Sequence, residues 1–265
     1  PKPQNPVRLK FTIIKMNIID VLFTQRYSED TFLKSPSPKT ISPEMIWQAR
    51  AVMLFINMSF VLVNAVWHRF DGQYKFFTMW GVHITNLSLY MSMQASHFTF
   101  PTELLGFPTK ALANLLMNMA EVMNVIITVV SYLIIIPASV VAKNAWDTPE
   151  HSFDTIFNKI LIHTVPIIFS SINLFMLTDT IMYYTDAWYT PILTAAYMGT
   201  AYLYTKTYNS YIYPFMTFKD GDVLSTVFEI ITPIAGVIIE LVLSYITQQE
   251  RGRYEFQLPF FQHLM

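Results

Sequence analysis

The sequence contains no cysteine, and this absence removes several kinds of chemistry. Disulfide bonds, thiolate nucleophiles, cysteine-ligated zinc and iron–sulfur clusters all need that residue. Glycine is also scarce, with seven in 265 residues. The glycine-rich motifs typical of dinucleotide-binding folds, P-loop nucleotidases and α/β-hydrolases do not occur. The sequence therefore predicts no cofactor of those classes.

Charged residues are few, at 13% of the chain, where a soluble domain has about 25%. The 17 Lys and Arg nearly balance the 18 Asp and Glu, so the net charge is −1. Without a basic excess, we expect no nucleic-acid partner. Hydrophobic residues make up 53% of the chain and the mean hydropathy is +0.36. This composition indicates a membrane protein whose main partner is lipid.

Six segments are long and apolar enough to be considered as membrane spans, since a helix needs about 20 residues to cross the hydrocarbon core. They are 46–67, 76–97, 112–136, 156–179, 190–208 and 223–247. We therefore predict an all-α fold, a polytopic membrane helix bundle of about six transmembrane helices. Three regions follow: an N-terminal tail over 1–45, a six-helix membrane domain over 46–247 and a C-terminal tail over 248–265.

The N-terminal tail is basic and contains apolar residues at helical spacing over 7–25. This pattern fits an amphipathic helix in the membrane interface, and it fits equally an ordinary tail packed on the body. Ser42, Pro43 and Glu44 form a strong start signal for the first span, with an N-cap residue, a proline at the first helical position and an early acid.

Six crossings place both termini on the same side of the membrane. The loops and tails on that side contain more Lys and Arg than the opposite loops. The positive-inside rule then places both termini in the cytosol or in the mitochondrial matrix. The sequence does not separate an endoplasmic-reticulum-type membrane from the mitochondrial inner membrane.

Ionisable residues inside the spans need partners or a purpose, because hydrocarbon penalises charge. They are His83, Glu121, His163, Asp179, Glu229 and Glu240. Helix–helix hydrogen bonding is the simplest role for these residues, except for Asp179, which lies at a span end and is expected to reach water. A channel or proton carrier using the three glutamates is an alternative that needs an aligned polar path. Their spacing matches no metal-binding motif such as HExxH, so no metal site is predicted.

Thr78 and His163 are a candidate nucleophile and base. Thr78 lies about two residues into the second span and His163 about seven into the fourth, and both spans run in the same direction. At 1.5 Å per residue, their depths differ by roughly 7 Å. The two side chains can therefore meet if the spans are neighbours. A hydroxyl beside an imidazole is the minimal nucleophilic pair, although a capping Thr and a packing His give the same pattern.

Three short segments resemble motifs of a known family. Residues 74–80 are Tyr-Lys-Phe-Phe-Thr-Met-Trp, 158–166 are Asn-Lys-Ile-Leu-Ile-His-Thr-Val-Pro, and 211–216 are Tyr-Ile-Tyr-Pro-Phe-Met. In order, they resemble the motifs that open span two, occupy span four and close span five in the androgen-induced gene family. Members of this family are six-helix membrane proteins, and the rolling-stone-type proteins resemble them. The resemblance covers about residues 46–250, and Glu240 lies where the family's last span often has a Glu.

The family includes hydrolases of fatty acid esters of hydroxy fatty acids. What the resemblance implies is that Thr78 attacks a lipid ester carbonyl and that His163 acts as general base. The alternative is a non-catalytic accessory subunit of a large membrane complex, in the mitochondrial inner membrane for example. Under that interpretation, the N- and C-terminal tails contact neighbouring membrane subunits.

Overall fold

A computed structural model describes residues 32, 41–68, 76–95, 103–104, 107–137, 160–213, 216–219 and 222–252. Within these residues the chain is almost entirely helical, which confirms the all-α prediction. The helices are α1 (Pro43–His68), α2 (Phe77–Ala95), α3 (Thr109–Val130), α4 (Ile162–Ser171), α5 (Tyr189–Tyr208) and α6 (Val223–Arg251). The predicted amphipathic helix over 7–25 and the C-terminal segment after 252 lie outside the described residues.

Three of these helices are long and apolar enough to cross a membrane. They cover Pro43–Val66, Thr109–Ile135 and Ser225–Arg251. The second of these spans consists of α3 and the wide π-helical turn that follows it at Ser131–Ile135. α4 continues through a similar turn, and this shorter apolar helix spans Ile162–Met176. A membrane protein is thus supported, and the number of six crossings stays a prediction.

The start of α1 follows its sequence signal. α1 begins at Pro43, and Glu44 lies in its first turn. The backbone N–H of Met45 donates to Ser42 Oγ at 3.3 Å, and the N–H of Ile46 donates to the Ser42 carbonyl at 3.0 Å. Ser42 therefore caps the helix as predicted, because it accepts hydrogen bonds from backbone groups that have no partner within the helix.

Two short elements lie in the connections between these helices. Between α2 and α3, Glu103–Leu104 (β1) pairs antiparallel with Phe107–Pro108 (β2). A single 3₁₀ turn over Tyr184–Trp188 leads into α5. α2 packs against both α1 and α3, and α3 also packs against α4. α5 and α6 pack against each other and against α3.

Helices α2 and α3 approach each other closely at Gly81. A Cβ atom at this position would lie 2.6 Å from Ile127 Cδ1 and 2.7 Å from Asn124 Oδ1. These distances are shorter than van der Waals contact, so a larger residue would have to displace the Ile127 and Asn124 side chains. Gly81 lies one turn after Thr78, so this close contact sets the position of Thr78 relative to α3.

A stripe of polar side chains runs along α3 at helical spacing. Asn114 Oδ1 accepts a hydrogen bond from Thr180 at 2.9 Å, and Glu121 Oε1 accepts one from Ser171 at 2.7 Å. Asn124 Nδ2 donates to Thr85 at 2.8 Å and to Ser170 at 3.2 Å. We call this set, Asn114, Glu121 and Asn124, the α3 polar stripe; its partners lie on α2, on α4 and in the segment after α4.

The outer surface of the bundle is apolar. Large hydrophobic side chains project from α1 and α6, among them Phe55 (76% exposed), Val66 (85%) and Val223 (73%). The interior contains the polar stripe and other buried amides. This distribution, with polar groups inside and apolar groups outside, is expected when lipid surrounds a helical bundle.

Candidate functional site

The structure brings Thr78 and His163 together. Thr78 Oγ1 lies 2.9 Å from His163 Nε2, across 85 residues of sequence. Thr78 is the second residue of α2 and His163 the second residue of α4, and each residue is 7% exposed. Both start their helices at the same end of the bundle, as the span count predicted. The contact distance is that of a hydrogen bond between a hydroxyl and an imidazole.

α3 holds the start of α4 in place. Thr128 Oγ1 donates a hydrogen bond to the backbone carbonyl of His163 at 2.8 Å. The hydroxyls of Tyr132 and Thr164 lie 2.7 Å apart and form a second bond between the same two helices. Together these bonds fix the backbone on which the imidazole sits, and this reduces the ways in which His163 can turn away from Thr78.

Tyr213 lies on the other side of Thr78. It follows α5, whose end is marked by Asn209 in the left-handed conformation with φ 48°. The Tyr213 hydroxyl interacts with the Thr78 side chain and with the backbone of Phe77 and Thr78. Burial raises the pKa of the Tyr213 phenol above its usual range, so the group is neutral at physiological pH.

Aromatic rings surround this hydroxyl. The Phe76 and Tyr213 rings have centroids 6.3 Å apart. The Tyr197 ring on α5 has its centroid 4.6 Å from that of Phe77, and it packs edge-on against Trp80 with a centroid distance of 5.5 Å. Such contacts are favourable beyond the apolar area they bury. The rings therefore fix α5 and the loop that follows it against the start of α2.

A cavity of about 40 Å³ opens directly beside Thr78. Its walls come from α2, α3, α5, α6 and the loop that carries Tyr213. Most of the lining is apolar, with Ile127, Val130, Met198 and Phe228 as examples, and Thr78 and Tyr213 are among its polar members. The volume holds water-sized molecules. A long-chain ester needs the walls to move apart before it can reach Thr78.

The other sequence-predicted polar residues lie apart from this pair. Each of the three glutamates has its own hydroxyl partner: Glu121 binds Ser171, Glu229 accepts from Ser225 at 2.9 Å, and Glu240 accepts from Tyr189. Asp179 lies 3.7 Å from Arg251. His83 is exposed on α2. The contacts of the three glutamates tie neighbouring turns and helices together, as a structural role requires.

Arg50 is a buried residue that the sequence analysis did not single out. It is 0% exposed and lies on α1. Its guanidinium donates to Asn173 Oδ1 at 2.8 Å, to the Phe32 carbonyl at 2.7 Å and to the Leu177 carbonyl at 2.9 Å. Arg50 therefore joins α1 to the end of α4, at the opposite end of the bundle from Thr78. The sequence signal for it is a single cation inside an apolar helix.

Within the described residues, no group of three or more His, Asp or Glu side chains is placed to hold a metal ion. Comparison with protein-family models, with curated proteins and with solved structures finds no match for this chain. The resemblance to the androgen-induced gene family accordingly stays a prediction, and so do the catalytic roles of Thr78 and His163.

Proposed function

We propose that this chain is an integral membrane hydrolase that cleaves lipid esters, with Thr78 as nucleophile and His163 as general base. The observation that carries the proposal is the 2.9 Å contact between Thr78 Oγ1 and His163 Nε2 beside an apolar cavity. The proposal includes the six-span topology and the family resemblance predicted from the sequence.

The reaction begins with attack of Thr78 Oγ on the ester carbonyl carbon. His163 Nε2 takes the hydroxyl proton as the new O–C bond forms. The tetrahedral intermediate then collapses, its bond to the leaving alkoxide breaks, and His163 returns the proton to that alkoxide. Water hydrolyses the acyl-threonine by the same steps in the opposite order. A water molecule fits in the cavity beside Thr78.

The substrate class follows from the surroundings of Thr78. The cavity is lined mainly by apolar side chains, and the outer faces of the helices are apolar as well. An ester with long acyl chains dissolves in the surrounding lipid and gains by contact with such a lining. α5 and α6 supply part of the cavity wall, so their separation from α2 and α3 would admit the chains from the side.

Labelling with a lipophilic fluorophosphonate tests the proposal, because an activated hydroxyl displaces fluoride and forms a stable bond to phosphorus. We expect the purified wild type to be labelled, and Thr78→Ala and His163→Ala to lose the label. Thr194→Ala is the matched control. Thr194 lines the same cavity, but its hydroxyl donates to the Thr190 carbonyl of its own helix at 2.9 Å. We expect this variant to label like the wild type.

A folded wild type that takes no label, or a Thr78→Ala variant that keeps it, contradicts the proposal. The first result favours the alternative of a non-catalytic subunit in a larger membrane assembly. That alternative depends on the N- and C-terminal tails, most of which lie outside the described residues, so it stays a prediction. Isolation of the native complex from membranes would then identify the neighbouring subunits.

A further inference from the structure

Thr78 Oγ1 contacts two different groups, and only one of them acts in the mechanism above. His163 Nε2 lies on one side at 2.9 Å, and the Tyr213 hydroxyl lies against the same side chain. A hydroxyl has one proton to donate and two lone pairs that accept. When Thr78 donates its proton to His163, a lone pair remains to accept from Tyr213. The Tyr213 hydroxyl therefore lies next to Thr78 Oγ1, the atom that would attack the ester.

The backbone around Tyr213 places its hydroxyl at the start of α2. The left-handed conformation of Asn209 ends α5 and turns the chain back toward the cavity. The N–H of Met216 donates to the Tyr213 carbonyl at 3.0 Å and stabilises the turn. At the beginning of a helix, the first N–H groups have no partner within the helix and create a positive potential. Negative charge is therefore favourable at this position.

We propose that Tyr213 is a third catalytic residue, which donates its phenolic hydrogen bond to the oxyanion formed when Thr78 attacks an ester. This inference rests on the hydrolase function proposed above. It is carried by the place of the Tyr213 hydroxyl, which contacts the Thr78 side chain and lines the same cavity. Once the cavity walls admit an ester, attack by Thr78 would place the carbonyl oxygen in the cavity that Tyr213 also lines.

The role of Tyr213 involves no proton transfer. As the Oγ–C bond forms, the π electron pair of the carbonyl moves to its oxygen, and the Thr78 proton moves to His163. Tyr213 directs its O–H toward the new oxyanion and keeps its proton throughout. This electron pair returns to re-form the C=O bond when the alkoxide leaves. A neutral phenol is the form required, and burial favours that form.

The test compares Tyr213→Phe with Tyr211→Phe by steady-state hydrolysis of a long-chain p-nitrophenyl ester. Tyr211 is an exposed tyrosine in the same loop, and its replacement by Phe removes the same single oxygen atom. Removal of one oxyanion donor lowers kcat by about 10²–10³-fold in known enzymes. We expect a loss of this size for Tyr213→Phe with KM within about twofold, and wild-type kinetics for Tyr211→Phe.

The wild type and Thr78→Ala are measured in the same experiment. If the wild type hydrolyses the ester, Thr78→Ala does not, and Tyr213→Phe has full kcat, the inference about Tyr213 is overturned while the hydrolase proposal stands. If the wild type itself is inactive, both fall. A rise in KM alone would also overturn the inference, since it indicates a role in ground-state binding.

Should Tyr213→Phe fail to fold, replacement of Tyr213 by 3,5-difluorotyrosine provides a second measurement. Fluorine makes the phenol more acidic, and a phenolate cannot donate. We then expect the alkaline loss of kcat to move to lower pH. Tyr197 and His163 are the titratable groups that contact Tyr213 or Thr78, and neither is altered. An alkaline limb that does not move overturns the inference.

Discussion

Arg50 Nε donates a hydrogen bond to Asn173 Oδ1 at 2.8 Å, and this bond joins α1 to the π-helical turn at the end of α4. The other guanidinium nitrogens bind the carbonyls of Phe32 and Leu177 and the hydroxyl of Thr178. A planar guanidinium reaches several acceptors in fixed directions, which a lysine ammonium cannot do. The cation at this site is thus part of the packing of the bundle.

Replacement of Arg50 by Lys should destabilise the protein although it keeps the charge. Several buried acceptors lose a charged donor, and each such loss amounts to roughly 1.5–3 kcal/mol. We expect the free energy of unfolding in detergent to fall by about 3 kcal/mol or more. Lys206→Met, which removes an exposed cation on α5, should change it by less than about 1 kcal/mol. Equal effects of the two variants would show that the Arg50 network adds nothing.

Gly81 should resist substitution, because α2 and α3 touch there. Asn124 cannot simply move away from a new Cβ, since it is hydrogen-bonded to Thr85 and Ser170. We expect Gly81→Ala to lower the free energy of unfolding by about 1–3 kcal/mol through overpacking. Gly199→Ala is the matched control, because a Cβ there meets nothing within 4 Å in the described part of the chain.

At Gly199, removal of a flexible residue from a helix should be neutral or stabilising by up to about 1 kcal/mol. Thermal unfolding of both variants, followed by circular dichroism, checks the pair. A Gly81→Ala variant as stable as Gly199→Ala would mean that α2 and α3 are farther apart than the structure shows.

The phenol of Tyr213 should make stability fall at alkaline pH. Its pKa is raised in the folded protein by burial, so the folded state keeps a proton that the unfolded state releases above about pH 10. The stability contributed by this proton is fully present below that pH and is lost as pH rises through the folded-state pKa. In this window we expect the wild type to lose up to about 1.4 kcal/mol per pH unit more than Tyr213→Phe.

Denaturant unfolding at a series of pH values between 9 and 12 measures the difference between these two proteins. The other tyrosines are common to both proteins, and all of them except Tyr197, which interacts with Tyr213, cancel in the comparison. Parallel curves would show that the Tyr213 phenol is as exposed in the folded protein as in the unfolded chain.

Thr78→Ser and Thr78→Val separate the hydroxyl of Thr78 from its shape. Valine has nearly the same volume but cannot attack an ester or bind His163. We expect Thr78→Val to lose fluorophosphonate labelling completely, while Thr78→Ser keeps a measurable labelling rate because serine retains Oγ. Both variants should fold, as judged by size-exclusion chromatography in detergent. Loss of labelling in the serine variant and retention in the valine variant would contradict a nucleophilic role.

The sequence predicted the helices well, because long apolar runs and the cap at Ser42 are local signals. It also predicted that Thr78 and His163 lie at the same end of the bundle, since depth along parallel helices can be counted from residue numbers. α2 and α5 are not among the three helices apolar enough to cross a membrane, because their Thr, Ser, Asn and Tyr residues lower the mean hydropathy of the helix. These polar residues are largely used inside the bundle.

The roles of Arg50 and Tyr213 could not be predicted from the sequence. Arg50 is a single cation in an apolar helix, and its acceptors include a carbonyl 127 residues away. Tyr213 reaches Thr78 only because the chain turns back after Asn209, and a left-handed asparagine has no unique sequence signature. Both roles depend on how distant segments meet, which periodicity and motif spacing do not specify.

The α3 polar stripe also limits how α3 can move. Turning a helix by one residue rotates its face by about 100°. Such a rotation would carry Asn114, Glu121 and Asn124 away from their partners and toward apolar surroundings, where lone polar groups are unfavourable. Apolar helices in lipid have many nearly equivalent orientations, but this one has a single favourable angle and depth. The hydrogen bonds of α3 thus fix its orientation relative to its neighbours. Thr128 adds a hydrogen bond to the backbone carbonyl of His163, so the position of His163 depends on the same helix.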